Sequence, residues 1–112
     1  MIKKIINTLT FSERVVKIAL EIPKGMVTTY GRLARAAGAG PMASQSITSI
    51  LGKAHMNGIK NIPFHRIVYS DGKVWLNNEY KNKRLALYKK EGIKLDKNNR
   101  ILNFSDVLFE FK

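Results

Sequence analysis

The chain contains no cysteine. Disulfides and thiolate metal sites are excluded, and no thiol can serve as a nucleophile. That lack suits an intracellular protein. No apolar run approaches the ~20 residues of a membrane span. The start, Met1-Ile2-Lys3-Lys4-Ile5-Ile6, is basic then apolar, but it soon meets Asn7 and Thr8. It has no apolar h-region, so a signal peptide is not expected. Acidic residues are also few, 8 against 20 Lys and Arg, for a net charge of +12. The scarcity is uneven. From Ile22 through Ser70 there is no Asp or Glu, while Lys24, Arg32, Arg35, Lys53, Lys60 and Arg66 all fall there. A carboxylate facing a phosphate backbone would be repelled, so an acid-free stretch is what a DNA-facing surface needs. The balance favours a polyanion partner, nucleic acid first and an anionic membrane surface second. The plain alternative is a solvated basic surface without a partner.

What is present is enough for a core. The 112 residues are 45% hydrophobic, which points to one domain of modest stability over 1–112. Linkers, repeats and low-complexity tracts are not evident. Thr10-Phe11-Ser12-Glu13 fits a capping box. The apolar spacing Phe11, Val15, Ile18, Ala19, Ile22 then predicts a helix to about Ile22, stopped by Pro23-Lys24-Gly25. Val27 to Tyr30 reads as a short β-prone link with Thr29 as a helix cap. A second helix runs from Tyr30 to Ala37 and ends at Gly38-Ala39-Gly40. Pro41 opens a third, Met42 to about Lys53. Two helices across a short Gly-containing turn match a helix-turn-helix. Ala54 to Asn61 reads as a polar loop and Ile62 to Tyr69 as a buried segment. Ser70-Asp71-Gly72-Lys73 is a turn leading to Val74-Trp75. Asn77 to Asn82 is a loop, and Lys83 to Glu91 is a helix closed by Gly92. Ile93–Leu95 and Arg100–Leu102 could pair across Asp96 to Asn99. Phe104, Leu108, Phe109 and Phe111 form an aromatic tail against the core.

Three segments carry a resemblance. Ile22-Pro23-Lys24-Gly25-Met26-Val27-Thr28-Thr29-Tyr30-Gly31 is similar to a Pro-x-Gly-x-Val-x-x-Tyr-Gly pattern. Ile62-Pro63-Phe64-His65-Arg66-Ile67-Val68 is similar to Pro-Cys-His-Arg followed by two β-branched residues. Glu91-Gly92 follows in order. Together they resemble the DNA alkyltransferases, over about Phe11 to Phe109. The family's Cys takes an alkyl group from O6-alkylguanine, but here Phe64 holds that place. A phenyl ring has no ionisable group and no lone pair to attack with. The chain is therefore identified as similar to the alkyltransferase-like proteins, the non-enzymatic branch of that family. The resemblance implies a mainly α winged helix-turn-helix with a small β-hairpin, as in the alkyltransferase C-terminal domain.

It also implies roles. Phe64, His65, Ile67, Tyr30, Trp75 and Asn77 would line a pocket for an extruded base, with the Phe64 ring at its floor. Thr29, Tyr30, Gly31, Arg35, Ala43, Ser44, Gln45, Thr48, Lys53, Arg66 and Ser70 would contact DNA. Tyr30 would push on the phosphate 3′ of the lesion. Gln45 falls where the family has an Arg finger that fills the vacated stack, and it lacks that residue's charge and stacking plane. Lys53 or Arg35 could substitute. His65 and Glu91 match the pair that activates the Cys, and without a thiol they read as a retained structural hydrogen-bond pair. Arg66 would brace the pocket loop. Either Asn57 or Asn61 matches the Asn that ties the recognition helix to the pocket. Trp75 to Tyr80 lacks the glycines that shape the family's lesion site.

The resemblance thus implies a monomeric sensor of O6-alkylguanine in duplex DNA. It would bind through the minor groove, flip the base without alkyl transfer, and flag the lesion for nucleotide excision repair. No cofactor, metal or membrane is expected, and the place would be with the DNA, in the cytoplasm and nucleoid or in the nucleus. The alternative is a regulator or architectural protein of the same fold, which Gln45 and the altered loop support. A hydrolase built on His65 and Glu91 would lack a nucleophile, a metal set and a phosphate loop.

Overall fold

In the computed structural model, residues 9–111 are described, the side chain of Pro41 aside. The basic-then-apolar start read from Met1 to Ile6 lies outside them. Contacts gather the described residues into two compact units. One takes the chain up to Glu21 together with Gly31–Pro63, and the other takes Ile22–Tyr30 together with the chain from Phe64 onward.

The first unit is helical. Helix α1 spans Phe11–Ala19, and Thr10 caps it reciprocally with Glu13. The Thr10 hydroxyl accepts from the Glu13 amide at 3.1 Å, and the Glu13 carboxylate accepts from the Thr10 amide at 3.2 Å. Val15 and Ala19 are fully buried. The helix stops three residues before the expected Ile22, because the residue preceding Pro23 is driven out of the α region. The rest of the unit is Gly31 onward of helix α2 (Tyr30–Ala36), a 3₁₀ turn over Pro41–Ser46 and helix α3 (Ile47–Met56). Leu33, Ala34, Ile47 and Leu51 are its buried face. Gly38, at φ +94°, closes α2. Its amide bonds to Arg35 O and the Ala39 amide to Ala34 O, the paired return bonds that satisfy a helix end. Arg14 secures this turn, donating from Nε to Ala37 O at 2.7 Å and from Nη1 to Leu9 O at 2.6 Å. The third helix differs from expectation at both ends. Its first six residues, Pro41–Ser46, are 3₁₀, and it runs to Met56, so part of the expected 54–61 loop is helical.

The second unit holds the β structure. Strands β1 (Thr28–Thr29) and β2 (Ile67–Val68) pair in parallel, Thr28 with Ile67 and Thr29 with Val68. A 3₁₀ turn, Phe64–Arg66, precedes β2. The expected hairpin over 93–102 is present as a single antiparallel bridge, Leu95 with Ile101. Its turn is held by Asp96, whose Oδ1 accepts from the Asn98 and Arg100 amides. Helix α4 spans Lys81–Lys90 and the one-turn α5 spans Phe104–Val107. The core is Val27, Val68, Val74, Tyr88, Ile93 and Ile101, with Leu76, Leu95, Phe104 and Val107 against it. The tail adds to this unit as expected: the Phe109 amide donates to Val27 O at 2.7 Å, and Phe109 and Phe111 meet edge to face. The described part is thus mainly α with little β, and α2 and α3 joined across Gly38 to Ser46 form the helix-turn-helix.

Candidate functional site

Helix α4 ends on Glu91. Gly92, at φ +77°, turns the chain back. Its amide bonds to Lys89 O, and the Ile93 amide bonds to Tyr88 O. A side chain at 92 would be strained in that left-handed conformation. This ending fixes the Glu91 carboxylate, and two distant segments converge on it. The Gly25 amide donates to Oε1 at 3.0 Å. Arg66 grips it with two parallel bonds, Nε to Oε1 at 3.0 Å and Nη2 to Oε2 at 2.8 Å. His65 Nε2 lies 2.7 Å from Oε2. The remaining Arg66 nitrogen, Nη1, donates to Ile22 O at 2.9 Å. The three motif segments of the sequence are therefore one hydrogen-bond cluster.

Its electrostatics follow. Burial would push the Glu91 carboxyl up. The hydrogen bonds from Arg66, Gly25 and His65 outweigh burial and hold it down at about 2. Burial pushes His65 below its ordinary value, beyond what Glu91 restores. Near pH 7 the ring is neutral. Glu91 is then an acceptor only, so His65 Nε2 must carry the hydrogen and donate it. The cluster nets to zero charge: one guanidinium, one carboxylate, one neutral imidazole. Tyr88, three residues before Glu91 on the same helix, donates its hydroxyl to His65 O at 2.6 Å. Burial pushes that phenol up to about 12, so it stays a donor. Its ring meets the His65 ring edge-on. His65 is thus fixed at backbone, ring and Nε2, and the cluster can position Phe64 but has nothing to activate.

The other expected residues fall into different settings. Phe64 and Tyr30 are half-buried. Trp75 is 41% exposed, with the Arg84 guanidinium 5.0 Å above its ring. Ile67 is 2% exposed in β2, so packing in the core, not contact with a ligand, is what its side chain does. Asn77 is half-exposed, and its Oδ1 accepts the Tyr80 amide at 2.8 Å, which shapes the entry to α4. Thr29 is 7% exposed in β1, so little of it is open to a ligand in this structure. Arg66 places all three guanidinium nitrogens on protein acceptors, Glu91 and Ile22 O, so most of its donor capacity is spent inside the fold. Gln45, Thr48, Lys53, Arg35 and Ser70 are exposed, and Ala43 and Ser44 are half-exposed. A Cβ at Gly31 would meet nothing within 4 Å, so packing inside the chain does not demand glycine there. Asn57 ends α3 and Asn61 takes φ +66°.

Sequence reasoning missed Arg84, Tyr88 and Tyr69. The first two were findable. Arg84, Tyr88 and Glu91 recur at i, i+4 and i+7, one face of α4. Tyr69 needed the strand register, since its ring lies 5.6 Å from that of Tyr30.

Comparison with known proteins gives one frame. The family model for the 6-O-methylguanine DNA methyltransferase DNA-binding domain matches residues 10–93. The DNA base-flipping protein of Escherichia coli is 34% identical over 79 residues, covering 70% of this chain and 59% of that protein. The chain thus spans less than two thirds of that relative's length. The crystal structure of S. pombe Atl1 with damaged DNA containing O6-carboxymethylguanine superimposes with a TM-score of 0.71 at 23% identity, covering 90% of this chain and 95% of that one. The O6-methylguanine methyltransferase of Mycobacterium tuberculosis gives 0.57 at 28% identity, over 74% of this chain and 48% of that one. The Atl1 likeness shows the fold, a helix-turn-helix domain. With the matched model covering most of its length and its three motif segments meeting on one carboxylate, the chain belongs to the family of the 6-O-methylguanine DNA methyltransferase DNA-binding domain.

Proposed function

We propose that this protein binds duplex DNA through its helix-turn-helix, extrudes an O6-alkylated guanine and holds it without taking the alkyl group. The carrying observation is Phe64. The loop that presents it is braced by Arg66, Glu91 and His65, as a reactive residue would need, yet the side chain is a hydrocarbon ring. A ring can contact an extruded purine by dispersion and cannot accept an alkyl group. Support comes also from a base-flipping relative in E. coli and from the acid-free run 22–70. Tyr30 presses on the phosphate, Phe64 and Trp75 receive the base, and Gln45, Thr48, Arg35 and Lys53 engage the groove and backbone. The protein acts as a monomer and without metal, and the held complex is handed to excision repair.

The test compares two matched duplexes, with and without O6-methylguanine. Preferential binding to the lesion is expected, with the lesion recovered intact and the protein mass unchanged. Methyl transfer to any residue defeats the reading. Equal affinity for both duplexes favours the second reading, a DNA-binding regulator, which Gln45 supports because it brings no charge to a base stack.

A further inference from the structure

Strands β1 and β2 are parallel and in register, Thr29 beside Val68. One step further along both chains, Tyr30 stands beside Tyr69. The ring centroids are 5.6 Å apart and the planes are tilted by 46°. The settings differ. Tyr30 is half-buried at the start of α2, whereas Tyr69 is 44% exposed. Yet the backbone beneath Tyr69 is pinned. Its amide donates to Lys73 O at 3.0 Å and its carbonyl accepts from the Gly72 amide at 2.9 Å. Gly72 sits at φ +84°, and a Cβ there would come within 3.2 Å of the Phe104 ring. The turn is therefore held by a core aromatic. A large ring rooted in a fixed turn, packed on another phenol and left nearly half open, is not serving the core. Asp71, two residues on in the chain, has its Oδ1 occupied by the Lys73 amide at 3.0 Å. Its Oδ2 lies 3.3 Å from Arg100. Its charge is thus answered locally, and the chain before it carries no other acid back to Ile22.

We infer that Tyr69 is a further nucleotide-binding residue, forming with Tyr30 a two-ring shelf for the extruded nucleotide. The Tyr30 hydroxyl meets phosphate, and the open face of Tyr69 stacks on the sugar and base. Phenol rings suit both contacts, being flat, stiff and polar at one end. The inference rests on the base-flipping reading and adds a residue to its site.

The experiment measures wild type, Tyr69→Ala and Tyr69→Phe on the same two duplexes. It also follows the fluorescence of 2-aminopurine placed as the target base, which brightens on leaving the stack. Loss of one base–aromatic stack should weaken lesion binding by about tenfold in Tyr69→Ala, with dimmer 2-aminopurine. Tyr69→Phe, which keeps the ring, should stay within about twofold. Binding to the plain duplex should barely change, because phosphate contacts set it. Thermal melting confirms that each variant is folded. If wild type prefers the lesion and Tyr69→Ala does so equally, the shelf is wrong and base flipping stands. If Tyr69→Ala and Tyr69→Phe weaken both duplexes alike, the shelf is also wrong. If wild type shows no preference, the base-flipping reading and the shelf fall together.

Discussion

Around Glu91, both carboxylate oxygens, His65 Nε2 and all three Arg66 guanidinium nitrogens have protein partners. On the turn and helix from Pro41 to Met56, Gln45, Thr48 and Lys53 face outward. Arg66 and Lys53 come from the same acid-free stretch and carry the same charge. Arg66 has its guanidinium closed by Glu91 and Ile22 O. Lys53 is exposed near the end of α3. A buried cation must be paired, or its desolvation is uncompensated, whereas an exposed one is free to recruit a polyanion. Net charge therefore overstates what a basic protein offers to DNA. The surface share is what counts.

The sharpest way to break this contrast is to remove the carboxylate. Glu91→Ala leaves Arg66, whose side chain is 14% exposed, as an uncompensated charge. The fold should lose about 3–5 kcal/mol, measured by urea unfolding. An effect below about 1 kcal/mol would place the cluster among exposed ion pairs.

Phe64→Ala comes next. Full burial would make the loss ~3–5 kcal/mol, and half-burial makes it less. The preference for alkylated over plain guanine should erode while general DNA affinity holds. Unchanged discrimination would mean the ring only fills space.

Titration sharpens the same comparison. Glu91 and His65 are both held below their ordinary values, so the folded state binds fewer protons than the unfolded one. Stability then rises with pH. The His65 contribution is complete above its ordinary 6.5 and fades as pH falls below it. The Glu91 contribution is complete above 4.5 and fades toward about 2. Urea midpoints across pH 2–8 should fall in that order on acidification, and the acid-side loss should be smaller in Glu91→Ala, where Asp71 and Asp96, both also held below their ordinary values, still contribute.

On the exposed side, Arg35→Ala and Lys53→Ala should leave stability within about 0.5 kcal/mol. Each should reduce the salt slope of DNA binding by about one, on every sequence alike. A flat salt response in wild type would mean that these charges only solvate the surface. The smallest effect is expected for Gln45→Arg, which should tighten binding to lesion DNA by adding charge and a stacking plane. A loss of affinity would show that another residue enters the stack.

Local chemistry explains what could be read from the chain. The capping box at Thr10 and Glu13, the stops at Pro23, Gly38 and Gly92, and the Asp96 turn are set by neighbouring residues, so their spacing alone reveals them. The missing thiol and the acid-free run are likewise properties of composition. Helix lengths were less legible: α1 ends at Ala19 and α3 continues to Met56, because propensity gives no sharp boundary and a following Pro or Gly settles it. What only the tertiary structure decided is which residues meet. Gly25, His65 and Arg66 converge on Glu91 from positions 66, 26 and 25 residues away, and no local pattern encodes such a meeting. Tyr69 gained its place beside Tyr30 from a two-residue parallel pairing whose register is invisible in either strand. Burial then divided like charges into brace and surface, because desolvation depends on position in space and not on position in the chain.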